Sequence, residues 1–289
     1  MRRACIDIGS NTTRLLVAEC HGDTLLEIHQ ERAFTRIGSG LLPDGTIAGA
    51  KIAEVVDVVA AQLQSARELG AVDVRAVGTA AIRRAANGPE LVKAIGDACG
   101  IEVSVLAGDE EARLAFVGAA RTLGHVPSGP LGVVDVGGGS SELVVGTAPD
   151  RVSWWRSFVL GSSEIADRCL LSDPPSRSEL TAARERIRAA LAGLDAPRPT
   201  EAVAVGGSAT SLRRLAGPLL DADAFERSLT LLATERMTEV ARRFALDLER
   251  VRLLPAGLLI LQAISQMLGT SLQIARGGIR EGVLLEAGG

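Results

Sequence analysis

The chain carries the same turn twice, and that repetition limits it to a fold with two similar halves. DIGSNTTRLLV, starting at Asp7, and DVGGGSSELVV, starting at Asp135, agree in chemistry at nearly every step. Asp7 falls on Asp135, Gly9 on Gly137, Thr12 on Ser140 and Thr13 on Ser141, and Leu15-Leu16-Val17 falls on Leu143-Val144-Val145. Each copy follows an apolar run (Cys5-Ile6; Val133-Val134) and leads into another, so each reads as strand, glycine turn, strand. Backbone N–H groups at glycine can approach an anion closely because no Cβ intervenes, and small hydroxyls beside them add donors. Two such hairpins facing each other across a cleft would grip one anion, phosphate above all, from both sides.

Hydrophobic periodicity fills in the halves. The first reads as strands near residues 3–8, 13–20 and 24–32, then a helix over 47–69 with Ile52, Val55, Val56, Val59 and Leu63 on one face and Gly70 as its stop. A strand over 72–77, a helix opened by Pro89, a strand over 101–106 and a helix over 109–123 follow. Gly124 to Pro130 reads as a linker. The second half restarts with strands over 131–136, 141–146 and 151–159, a short helix after Ser162 and a helix over 179–194. A strand over 202–205, helices through Gln266, a strand over 272–275 and a closing helix from Ile279 complete it. The pattern predicts a duplicated α/β architecture with mixed sheets, in domains 1–124 and 125–289, the closing helix packing at the boundary.

Composition narrows the class. Apolar residues at 47% and charged residues at 23% suit a globular chain, and a net charge of −4 gives no general attraction for nucleic acid. No run reaches the ~18 uninterrupted apolar residues of a membrane span. Asp7 breaks the apolar run behind Arg2 and Arg3, against a signal peptide. Cys5, Cys20, Cys99 and Cys169 are scattered, as expected of idle thiols in a reducing cytoplasm. Only Lys51 and Lys93 are lysine, so a bound polyanion would meet guanidinium forks. His21, His29 and His125 have no metal-pair spacing, and neither a P-loop nor a G-x-S-x-G elbow occurs.

Four segments carry candidate chemistry. Asp7 and Asp135 sit at strand ends, where carboxylates commonly hold Mg2+, often through water. Glu142 is a further candidate metal ligand, and its counterpart in the first copy is Arg14, so one half is expected to hold metal and the other phosphate. GDEEAR (Gly108 to Arg113) opens a helix whose positive N-terminus favours Asp109, Glu110 and Glu111. Successive helix positions point about 100° apart, so only one of Glu110 and Glu111 can face a cleft and deprotonate water there; position leaves open which. GTAAIRRA (Gly78 to Ala85) offers Arg83 and Arg84, facing different ways, one of them free to pair with phosphate. GGSATS (Gly206 to Ser211) lies between a strand and a helix, a ready anion or nucleotide site, and Gly277-Gly278 repeats that arrangement more weakly.

Taken in order, DIGSNTTRLLVAE, GTAAIRRAANG, VLAGDEEARLAF, VVDVGGGSSELVVG, LLSDPPS, AVGGSATS and GGIREGVLLE resemble the exopolyphosphatase and guanosine pentaphosphate phosphatase (Ppx/GppA) family. The resemblance implies two ribonuclease-H-like domains of the actin-like ATPase superfamily flanking an interdomain cleft. It implies Mg2+-dependent hydrolysis of the terminal phosphate of inorganic polyphosphate, or of the 5′-phosphate of guanosine pentaphosphate, in the stringent response. K+ is the second candidate ion. By the same resemblance Glu111 is the catalytic base and Arg83 a phosphate ligand. Asp7, Gly9, Ser10, Asn11 and Thr12 form the first phosphate turn, Gly137, Gly138, Gly139 and Ser140 the second, and Gly207 and Ser208 a third contact. Asp135 and Glu142 are the metal ligands. A cytoplasmic homodimer is implied, with no membrane or nucleic-acid partner. With no histidine after His125, the chain is expected to be the short, two-domain form. GSSEIADR, from Gly161, replaces the usual G-S-V-x-x-T-E-R, and Glu164 is expected to alter chain-length or nucleotide preference. The competing expectations are an ATP-driven kinase or chaperone-like ATPase, and a sensor that binds polyphosphate or alarmone without turnover.

Overall fold

Three antiparallel strands open the chain: β1 (Arg2–Ile8), β2 (Thr13–His21) and β3 (Thr24–Ala33). They precede α1 (Gly49–Glu68), β4 (Asp73–Gly78), α2 (Ala80–Arg84), α3 (Gly88–Cys99), β5 (Val103–Val105) and α4 (Gly108–Arg121). The computed structural model describes residues 1–22 and 24–286. The chain divides into two compact units, Met1–Thr122 with Gly277–Gly289, and Leu123–Arg276.

In the first unit the sheet order is β3-β2-β1-β4-β5, with β4 and β5 parallel to β1. Successive side chains of a strand point to opposite faces, and both faces are covered. Ala4, Ile6, Ile8, Leu15 and Val17 pack with α1 and α3, whereas Cys5, Leu16, Ala18 and Cys20 pack on the other side with Leu114 of α4. The central strands are therefore apolar at consecutive positions and cannot alternate with polar residues. β1, β4 and β5 all end on the same side of the sheet, where the glycine turn, GTAAIRRA and GDEEAR begin.

The second unit contains β6 (Leu131–Val136), β7 (Ser141–Thr147), β8 (Arg151–Phe158), α5 (Ser162–Cys169) and α6 (Arg177–Ala190). It continues with β9 (Glu201–Val205), α7 (Gly206–Ala216), β10 (Leu219–Leu220), α8 (Ala222–Thr234), α9 (Met237–Phe244), α10 (Leu248–Leu268) and β11 (Leu272–Ile274). Its order, β10-β11-β9-β6-β7-β8, repeats that of the first sheet with β10 added at the edge. The repeat confirms two ribonuclease-H-like halves. Periodicity missed β10 because two residues carry no pattern. α6 starts two residues earlier than its apolar pattern suggests, because Ser176 caps it and Glu179 reaches back in a reciprocal capping box. By length and composition α10 could cross a membrane, at a mean hydropathy of 1.5, but 67% of that window is buried as the central helix of this unit's core.

The closing helix, α11 (Ile279–Glu286), corrects the domain boundary. It belongs with the first unit, packing on α4, β1 and β2. Glycines permit this: a Cβ on Gly282 would lie 2.1 Å from the Leu114 carbonyl oxygen, and one on Gly118 would lie 2.0 Å from that of Gly278. Val283 and Leu284 complete the core beneath β1 and β2, and buried Arg280 donates to the Leu15 carbonyl at 3.1 Å. Gly277 and Gly278 thus serve close helix packing, and the Gly278 amide is taken by Glu281 at 2.8 Å, so no anion site opens there. Gly282→Ala is expected to cost about 1–3 kcal/mol through overpacking, seen as a lowered thermal midpoint. Gly96→Ala in α3, whose Cβ meets nothing closer than 3.9 Å, is expected to raise the midpoint instead.

Candidate active site

The two glycine turns share their local geometry. Gly9 N–H donates to the Thr12 carbonyl at 3.0 Å, and Gly137 N–H donates to the Ser140 carbonyl at 3.0 Å. What lies behind each turn sets what faces forward. Behind the first, Gly38 N–H donates to the Ser10 carbonyl at 2.8 Å and Arg36 N–H to the Asn11 carbonyl at 3.0 Å. Behind the second, the start of α5 does the same work: Ser162 N–H donates to the Gly137 carbonyl at 2.9 Å and Ser163 N–H to the Gly138 carbonyl at 3.0 Å. In a trans peptide the N–H points opposite to the C=O. The amides of Asn11 and Thr12, and those of Gly138 and Gly139, are therefore turned to the other side, as an anion site requires. Asn11 is 9% exposed, and its Nδ2 is buried without an acceptor, a further donor beside the first turn. Gly161 admits the close approach of α5, since a Cβ there would meet the Gly138 carbonyl oxygen at 2.1 Å.

The strands flanking the turns set opposite charge patterns. Asp7 pairs across the ladder with Arg14, whereas Asp135 pairs with Glu142. Burial pushes the Asp7 carboxyl above its ordinary range, with Arg14 opposing, and its Oδ1 is buried without a hydrogen-bond donor. Asp135 and Glu142 are 8% and 2% exposed, and Ser157 Oγ donates to Glu142 Oε1 at 2.8 Å. Like charges directly opposite on a ladder repel, and a cation between them would relieve the cost. Among the described residues no group of three His, Cys, Asp or Glu gathers as a metal cage. Two carboxylates still fit Mg2+, which usually keeps several waters and takes substrate phosphate for its remaining positions.

GGSATS serves this carboxylate pair more than a ligand of its own. Gly206 has φ +84°, and a Cβ there would lie 2.2 Å from Asp135 Oδ1, so glycine is needed to let the carboxylate reach the start of α7. Gly207 is covered by a guanidinium that sequence reasoning missed, with Arg250 Nη1 2.5 Å from where its Cβ would stand. Ser208 is 2% exposed and packs beneath Gly257 of α10, its Oγ buried without a hydrogen-bond partner. Arg250 itself is 5% exposed. Its signal in the sequence was faint: one of two arginines at the head of a helix with no charged residue after Arg252.

In the first unit, the structure separates the two glutamates that spacing could not. Arg113 Nε and Nη2 donate to Glu110 at 2.8 Å each, holding that carboxyl below its ordinary range on the outer side of α4. Arg113 also pairs with Glu286, clamping α4 to α11. Glu111, 3% exposed, turns inward and accepts from Arg83 Nη1 at 2.9 Å. Arg83 Nη1 also donates to the Leu106 carbonyl at 2.5 Å, and its side chain remains 30% exposed. Arg83, expected as a phosphate ligand, is thus bonded here to Glu111. Glu164, singled out as a departure, pairs with Arg168 of its own helix α5 and with Arg186 of α6.

Amide-lined turns at matching strand ends, one beside a carboxylate pair and the other in a unit with an inward glutamate, define a phosphate-binding protein of the actin-like ATPase fold. The chain matches the Ppx/GppA phosphatase family over residues 16–287. It is 32% identical over 256 residues to exopolyphosphatase 2 of Mycobacterium tuberculosis, covering 84% of this chain and 79% of that one. It is 30% identical to an uncharacterised protein of Streptomyces coelicolor, covering 99% and 90% of the two chains. A solved Ppx/GppA protein of Aquifex aeolicus aligns at a TM-score of 0.83 and 27% identity, covering 99% of this chain and 97% of that one. An exopolyphosphatase of Cytophaga hutchinsonii shares the fold at a TM-score of 0.88 and 22% identity, with coverage of 99% and 97%. The chain belongs to the Ppx/GppA phosphatase family and is a hydrolase of phosphoanhydride bonds.

The raised pKa of Asp7 yields a stability prediction. A carboxyl that burial pushes up destabilises the folded chain once pH exceeds its unfolded value, because the folded state then holds a charge it disfavours. Asp7→Asn is expected to raise the thermal midpoint at pH 7, and the gain should shrink as pH falls toward the ordinary aspartate value, about 3.9. Melting curves from pH 7 to 4 check both the sign and the trend.

Proposed function

We propose that the chain is an exopolyphosphatase that removes the terminal phosphate of inorganic polyphosphate as orthophosphate. The observation that carries this reading is Glu111: a carboxylate turned inward at the head of α4, held on the exposed fork of an arginine. The name of the Mycobacterium tuberculosis relative supports the choice of substrate. Phosphoryl transfer has a loose transition state, so catalysis is mainly positioning and neutralisation of charge.

The reaction requires little covalent chemistry of the protein. Water attacks the terminal phosphorus, the bridging P–O bond breaks, and the shortened chain leaves with the bonding electrons. Glu111 orients the water and accepts its proton. The turn amides and the Asn11 side chain bind phosphate oxygens, and Arg83 neutralises their charge. A phosphate bound at Arg83 would compete with Glu111 Oε2 for the guanidinium. Asp135 and Glu142 of the second unit would hold Mg2+, which would supply neutralising charge to phosphate at the second turn.

Glu111→Gln keeps the shape but removes the base, and turnover is expected to fall ~10²–10⁴-fold with polyphosphate binding retained. Phosphate release and polyphosphate binding are measured side by side. Near-normal release from the variant would refute the role of Glu111. Guanosine pentaphosphate presents the same kind of terminal phosphoanhydride, so it is assayed in parallel; a clear preference for it over polyphosphate would overturn the substrate assignment.

A further inference from the structure

The second unit carries an open groove of about 550 Å³ between α6 and α10, lined by none of the residues assigned to phosphate, metal or catalysis. The α6 side presents Arg184, Ile187, Arg188 and Leu191. The α10 side presents Leu259, Gln262, Ala263, Gln266 and Met267. Both sets follow the i, i+3, i+4, i+7 spacing, so each helix turns one continuous face toward the groove. Ile187 and Leu259 form a buried floor, while Leu191, Ala263 and Met267 are half-buried against the core. The facing stretches run for ~12 Å, a little over two helical turns.

The rim carries charge of one sign. Arg184 and Arg188 are exposed, one turn apart on α6, and among the described residues no hydrogen bond or ion pair engages either guanidinium. No aspartate or glutamate lines the groove, and its other polar side chains are Gln262 and Gln266. The remaining charges of this stretch of α6 point elsewhere. Arg186 is taken by Glu164, and Glu185 lies around the helix beside Ser178, Thr181 and Ala182. Like charges four residues apart on a helix repel, and a carboxylate set against each would replace repulsion with pairing. An apolar floor open along its length and bordered by guanidiniums suits a helix laid lengthwise, apolar stripe down and carboxylates on its flank. Polyphosphate would use the arginines but gains nothing from the floor. We propose that this groove is a docking site for an acidic amphipathic helix of a partner protein. The inference stands independently of which phosphoanhydride the enzyme cleaves.

Fluorescence anisotropy of the full chain with three helix-stapled peptides tests it, each of about 14 residues so that it spans the groove. The first places leucines at i, i+3, i+4 and i+7 with glutamates along the flank. The second has lysines in place of the glutamates, and the third keeps the composition of the first in scrambled order. The first is expected to bind at least tenfold more tightly than either of the others, and more weakly as salt is raised. Arg184→Glu/Arg188→Glu alters two exposed residues and should reverse the preference between glutamate and lysine peptides, with the helical circular dichroism of the chain unchanged. Equal binding of the scrambled peptide would reduce the groove to a general polyanion surface, polyphosphate included, and overturn the proposal. So would an unchanged preference in the charge-reversed variant, or no binding of the first peptide to the wild type.

Discussion

Much of the candidate site depends on one constraint: a peptide group cannot point its carbonyl and its amide to the same side. In both turns the carbonyls are tied from behind, by Arg36 and Gly38 in one unit and by Ser162 and Ser163 in the other. The amides are left facing forward without any side chain having to orient them. Preorganised N–H groups cost no rearrangement when charge arrives, which makes such a turn useful in phosphate chemistry. The two halves meet this requirement with different material, a loop in the first and a helix N-terminus in the second. The α5 helix is thus a brace for the turn rather than an anion site.

Charge is distributed unequally over this shared scaffold. The exchange of Arg14 for Glu142 at one ladder position gives one turn a compensated aspartate and the other a carboxylate pair. Gly206 is kept free of a side chain so that Asp135 can sit at the start of α7. The first unit instead gathers an aspartate of raised pKa and the Arg83–Glu111 pair. Stability is sacrificed at such positions, and it is recovered in the doubly covered sheets and in the glycine-to-carbonyl crossing of α4 with α11. That crossing also has a functional consequence: Arg113, which clamps α4 to α11, is the group that holds Glu110 outward.

Most of the fold was legible in the chain. The duplicated turn and the strand alternation specified three meandering strands followed by helices and further strands in each half, because residues in contact there are close in sequence and the apolar period reports burial directly. The short β10 strand was not visible, nor was the departure of α11 to the first unit. Nothing local marks a helix as belonging to a sheet some 270 residues earlier. The glycines of GGIREGV read as a weak anion site because sequence shows that a Cβ is missing without showing what stands in its place.

The sequence by itself determined the kinds of group available and the loops that present them: two glycine turns, acids at strand ends, and a helix headed by glutamates. Only the tertiary structure decided which of those groups are spoken for. It assigned Glu110 to Arg113 and Glu111 to Arg83, hid Ser208 beneath α10, and brought Arg250 over Gly207. The physical reason is that backbone turns are set by short-range sterics, which neighbouring residues encode. The partner of a charged side chain is set by whichever distant element packs beside it, and that depends on the whole fold.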